Sequence, residues 1–101
     1  MTLEEKIAEG VVTYFDGVIF DSARGRLEFK FLKNPEVPMR RRTVTFFNIQ
    51  DFSKHWHDEE DDSMANLIGI DEHPEGNGTR YSVCSNLWEI SFYSELEPQI
   101  E

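Results

Sequence analysis

Apolar and polar residues alternate with a period of two along most of this 101-residue chain. In Arg26-Leu27-Glu28-Phe29-Lys30-Phe31, the residues Leu27, Phe29 and Phe31 share one side and the charged residues share the other. That is the pattern of a strand with one buried and one wet face. The same period puts Val44 and Phe46 together within Arg41 to Ile49, and Trp88, Ile90 and Phe92 together within Leu87 to Tyr93. Val11 to Phe15, Val18 to Asp21, Leu67 to Glu72 and Arg80 to Cys84 read as further strands. Asp16-Gly17, between two apolar runs, predicts a two-residue hairpin, and Ala23-Arg24-Gly25 a second turn. Asn34 to Pro38 holds two prolines, which cannot donate to a ladder, and so predicts a connection. His73 to Thr79 reads as a turn-rich linker.

Three stretches depart from this period. Thr2-Leu3-Glu4-Glu5 is a capping-box pattern that predicts a short helix over 3–9, with Gly10 as its stop. Phe52 and Trp56 stand four apart and suggest one helical turn plugging a sheet end, followed by a solvated loop of acids. The tail from Ser94, with Glu95, Glu97, Pro98 and Glu101, reads as frayed. No connection holds the helical crossover of roughly a dozen residues that parallel strands need. The expectation is one domain over 1–101, α+β and mainly β. It would be a single antiparallel sheet or meander of five to seven strands with one short N-terminal helix.

Composition adds eight Phe, three Tyr and two Trp, a heavy aromatic load suited to strands and to a compact core. The one cysteine, Cys84, cannot form an internal disulfide, so nothing argues for an oxidising compartment. Met1 to Lys6 has no apolar signal region, and no apolar run approaches the ~18 residues that cross a bilayer. A cytoplasmic domain without a membrane partner is expected.

Charge changes the picture more. Residues 1–50 carry eight Lys/Arg and seven Asp/Glu, whereas residues 51–101 carry two and thirteen. Nearly all of the net charge of −10 therefore lies in the second half, including the run Asp58-Glu59-Glu60-Asp61-Asp62. Arg24 to Arg42 is locally basic and ends in Arg40-Arg41-Arg42. Such segregation points to an interaction surface. With strands 43–49 and 66–72 as antiparallel neighbours, the arginines and the acid run would stand at opposite ends, roughly 24 Å apart. That exceeds the ~8 Å screening length at physiological salt. Asp71, Glu72 and Glu75 would then lie at the arginine end, as exposed bridges worth about 0–1 kcal/mol each. The acids Asp58 to Asp62 and the arginines Arg40, Arg41 and Arg42 are the candidate partner-binding residues, with a basic protein as the expected partner.

Candidate chemistry is sparse. His55-Trp56-His57-Asp58 places two imidazoles and a carboxylate together, and Glu59 or His73 could complete a metal-ligand set, although the spacing matches no defined motif. His55, His57 and Asp58 are the metal candidates; no cofactor is implied. Glu59 and Glu60 would act as acid and base only if desolvated. Cys84 has no catalytic signature around it and reads as a structural thiol. Gly76-Asn77-Gly78-Thr79 has the glycines of a phosphate loop but neither its lysine nor its helix. Arg40 to Arg42 with Lys30, Lys33, Phe29 and Phe31 invites an RNA-binding reading. The core-like alternation and the overall acidity oppose it, so nucleic acid is not an expected partner. A non-enzymatic binding module is the first reading. A metal-binding protein is the second. The third is a structural subunit or homodimer, in which strand 87–93 or 11–15 would offer a free edge.

Phe15-Asp16, the strand Gly25 to Phe31, the strand Val44 to Phe52, the central Leu67-Ile68-Gly69-Ile70 and the final Trp88 to Phe92 occur in an order that resembles a class of small bacterial β-rich proteins. Some members of that class look like immunity proteins of toxin systems. The resemblance implies a protein-binding role and carries over no functional residue.

Overall fold

The computed structural model describes residues 2–8, 12–33, 41–57 and 65–101, with the backbone alone at Arg41. The architecture is mainly β with one short helix. Helix α1 spans Leu3–Ala8; the strands are β1 (Tyr14–Asp21), β2 (Arg26–Leu32), β3 (Arg41–Phe46), β4 (Gln50–Trp56), β5 (Leu67–Glu75), β6 (Gly78–Ser85), β7 (Trp88–Ser94) and β8 (Gln99–Ile100). They form two four-stranded antiparallel sheets, ordered β1-β2-β3-β8 and β4-β7-β6-β5, rather than the single sheet expected. The reason is that nearly every strand has one apolar face. Two such faces can be buried only against each other.

Phe29 from the first sheet packs on Phe92 of the second with ring centroids 6.4 Å apart. Phe46 meets Phe92 at 4.7 Å and Tyr81 at 4.9 Å, both edge to face. All four rings are buried, together with Leu27, Val44, Val83 and Ile90. Burying each large apolar side chain contributes roughly 1.5–3 kcal/mol. β1 ties the sheets together at one end, where Phe15 N donates to Ala65 O and Leu67 N to Thr13 O.

Four local expectations are corrected. Asp16-Gly17 is a bulge inside β1, not a hairpin: Tyr14 and Phe15 pair with Leu32 and Phe31, and Gly17 to Asp21 continue on Lys30 to Arg26. Both apolar runs pair with one strand, so the reversal falls instead at residues 22–25, where Gly25 supplies φ 62°. Residues 50–56 form strand β4 rather than a helical turn. Phe52 and Trp56, four apart, satisfy a period of two as well as 3.6, and pairing with β7 decides. The presumed linker at 73–79 is mostly strand, with a two-residue loop at Gly76-Asn77 between Glu75 and Gly78. The tail is not frayed: Gln99 and Ile100 pair with Thr45 and Val44, and Glu101 exchanges two backbone bonds with Thr43.

Helix α1 buries Leu3 and Ile7 and carries Glu5 N on the Thr2 hydroxyl at 3.2 Å. Six residues cannot hold a helix alone; this one is fastened at both ends. The Glu72 carboxylate accepts from Leu3 N at 3.1 Å, while Arg42 Nη1 and Lys33 Nζ donate to the carbonyls of Lys6 and Ala8, each at 3.2 Å. Acids at the start and cations at the end suit the helix dipole.

The turn from β6 to β7 depends on Ser85. Its buried hydroxyl accepts from Leu87 N and Trp88 N and donates to Trp88 O, at 2.9 to 3.0 Å. Ser85→Ala leaves those amides without their acceptor inside the core and is expected to cost about 2–3 kcal/mol, read as a lowered urea midpoint at unchanged slope.

Candidate functional site

The outward face of the second sheet is polar. Cross-strand register aligns Ser53, Ser91, Ser82 and Asp71 in one row, and His55, Glu89 and Cys84 in the next. Ser82 Oγ donates to Glu89 Oε1 at 2.6 Å and lies 4.0 Å from Cys84 Sγ. At the far end Arg80 binds Glu75 at 2.8 Å and Asp51 at 3.2 Å, joining β4, β5 and β6 across an exposed surface.

The cysteine row does not make a nucleophile. An activated thiolate needs an imidazole or another cation beside the sulfur. Here Glu89 occupies the intervening strand, and His55 is two strand spacings from Cys84, roughly 10 Å. Burial pushes the Cys84 thiol pKa up; the Ser82 hydroxyl opposes this, and the charges of Glu89 and Asp71 add to it. The neutral thiol is the favoured form.

Of the candidate partner-binding residues, Asp58, Glu59, Glu60, Asp61, Asp62 and Arg40 lie outside the described residues. Arg41 pairs through its backbone with Leu32, and Arg42 reaches the carbonyl of Lys6 near the end of α1. The supposed neighbours 43–49 and 66–72 are not adjacent, since β3 belongs to the first sheet and β5 to the second. Glu72 and Glu75 hold Leu3 N and Arg80. Neither proposed free edge is as drawn: strand 87–93 is the interior strand β7, and β1 has its first residues covered by 65–67.

Of the metal candidates, His55 and His57 are exposed with ring centroids 6.0 Å apart, and Asp58 lies outside the described residues. His73 is on β5, three strand spacings across the sheet and about four residues further along it, roughly 20 Å away. Among the described residues, no three His, Cys, Asp or Glu are grouped to hold a metal ion.

A feature that the sequence reading missed lies along β4. Lys54 Nζ stands over the rings of Trp56 and Trp88, at 4.2 and 5.3 Å. Burial lowers the Lys54 pKa. Phe52 stacks on Phe20 of β1 at 4.2 Å. Trp56 stays 42% exposed and Phe20 40%, so an aromatic margin continues from the core to solvent. Period-two counting over 50–56 would have placed Phe52, Lys54 and Trp56 together on the inward side.

A cleft of about 210 Å³ between α1, β6 and the chain entering β8 is lined by residues including Lys6, Glu72, Tyr81 and Glu97. It is smaller than the roughly 300–1,000 Å³ usual for small-molecule sites. Burial raises the Tyr81 pKa. No described helix is long and apolar enough to cross a membrane. Comparison with protein-family models, curated proteins and solved structures finds no match.

The raised thiol pKa makes a kinetic statement. Cys84 should react with iodoacetamide at pH 8 more slowly than an exposed model thiol, by on the order of tenfold. Stability follows the same sign. The contribution of a raised thiol pKa is complete below the ordinary thiol range and is lost as pH rises from that range through the raised folded value. Cys84→Ser should therefore flatten the alkaline fall in melting temperature.

Proposed function

We propose that the protein is a non-enzymatic, acidic binding module for a basic protein partner, the role of an immunity or adaptor protein. One observation carries this reading: the strands of the second sheet are net acidic and those of the first are not. Strands β4 to β7, which make the whole second sheet, carry five acids and two bases. Strands β1, β2, β3 and β8 carry three acids and four bases. The acids of 58–62 belong to the same half of the chain, directly after β4. A field of one sign attached to one sheet steers a partner of opposite sign and orients it on arrival. The outward face of that sheet offers serines, carboxylates and imidazoles without an activated nucleophile.

Replacing Asp58, Glu59, Glu60, Asp61 and Asp62 by their amides tests the reading against a partner isolated by cross-linking. The association rate should fall by at least on the order of tenfold at low salt, with little change in dissociation, and the difference should vanish at high salt. An unchanged rate at low salt rejects the acidic surface.

A second reading rests on the 6.0 Å separation of the His55 and His57 rings. An exposed imidazole pair can share a zinc ion. Zinc titration by calorimetry at neutral pH should then show one site that His57→Ala weakens on the order of a hundredfold. Equal affinities dismiss it.

A further inference from the structure

Four strands end the two sheets, and they are not equally open. β8 has two residues. β1 is bonded to 65–67 at its start and bulged at Asp16. β5 is sealed. Glu4 Oε1 accepts from Ile70 N at 2.8 Å, so Ile70 presents its amide outward, away from β6. Alternation gives Glu72 and Pro74 the same outward aspect. Pro74 has no amide to offer, and the Glu72 side chain is held by Leu3 N. A charged helix contact and an edge proline are standard means of blunting an edge.

β4 is irregular between Gln50 and Ser53, but from Ser53 to His57 it has neither bulge, proline nor a helix contact among the described residues. His57 N donates to Leu87 O, and the register continues unshifted through Trp56–Trp88, His55–Glu89, Lys54–Ile90 and Ser53–Ser91. Bonded and non-bonded pairs alternate in an antiparallel ladder. Ser53, His55 and His57 therefore bond to β7, while Lys54 and Trp56 turn their backbone amides and carbonyls outward. Among the described residues nothing pairs with that edge. A lysine can guard an edge by projecting charge from it, but the Lys54 amine is folded back over two indole rings. Beside this edge lie Trp56 and the Phe20–Phe52 stack, both partly exposed.

We propose that β4 takes an extended segment of the basic partner as a fifth strand of the second sheet. This rests on the reading of the protein as an acidic binding module and assigns the seat of binding. The incoming strand would bond through its backbone to Lys54 and Trp56. Its alternate apolar side chains would continue the core over Trp56 and Phe20. Its remaining side chains would be basic, because a net charge of −10 and the acids that follow β4 favour a cationic strand over a second copy of this chain.

The test is amide hydrogen exchange followed by NMR on the full chain. The probe is a capped peptide of alternating lysine and valine, about ten residues long. In the free protein the Lys54 and Trp56 amides should exchange faster than those of Ser53 and His55. Saturating peptide should slow Lys54 and Trp56 by at least on the order of tenfold. A peptide of equal charge, N-methylated on alternate amides, should not. Lys54→Pro removes an outward amide that β7 does not use, so circular dichroism should be unchanged while peptide affinity falls by on the order of tenfold.

Salt-sensitive binding without protection of Lys54 and Trp56 overturns the edge assignment and leaves the acidic module standing. No binding at low salt overturns both. Protection of the same amides without peptide, growing with protein concentration, makes a second copy the occupant and overturns the basic segment.

Discussion

The structure depends on one constraint: the strands have a single apolar face each, and eight of them cannot bury those faces in one layer. Phe29, Phe46, Tyr81 and Phe92 interlock between the sheets at 4.7 to 6.4 Å. Edge-to-face and offset contacts of this kind fix the sheets relative to each other more tightly than aliphatic contacts of equal area. Once that layer forms, the other assignments follow. β1 is drawn across to residues 65–67, the tail is pulled in as β8, and the helix is needed to cover what the sheets leave open beside β5.

The period of two was legible, and with it the identity of the core. Leu27, Phe29, Phe31, Val44, Phe46, Ile90 and Phe92 are all buried. The helix was legible too, because its start is written in local chemistry, Thr2 with two acids behind it. Partnering was not. Whether two strands share a sheet depends on pairing energies between distant segments, and alternation is identical on either side of a sandwich. Asp16-Gly17 shows the cost. A strong hairpin dipeptide was overridden because both flanking runs found the same partner in β2. At 50–56 the ambiguity was arithmetical, since a spacing of four fits both periods.

The candidate site was half legible. Counting charges located the acidic half, and strands β4 to β7 of that half form one sheet, while β8 joins the other and Asp58 to Asp62 lie outside the described residues. The histidine pair was visible as sequence neighbours. His73 was grouped with it because sequence carries no strand order, and the fold puts it on the far edge. The Arg80 bridge to Asp51 and Glu75 could not be read at all: its partners are 29 and 5 residues away and meet only through register. The margin of Trp56, Lys54, Phe52 and Phe20 was hidden by the helical reading of β4.

The contact between Glu4 and Ile70 has a consequence for how copies of this chain can accumulate. Growth of a fibril by lateral stacking requires a donor and an acceptor border on every molecule. Here α1 closes one border of the second sheet, so any strand added at the other terminates the series. A six-residue amphipathic helix thereby acts as a stopper against open-ended growth of the second sheet.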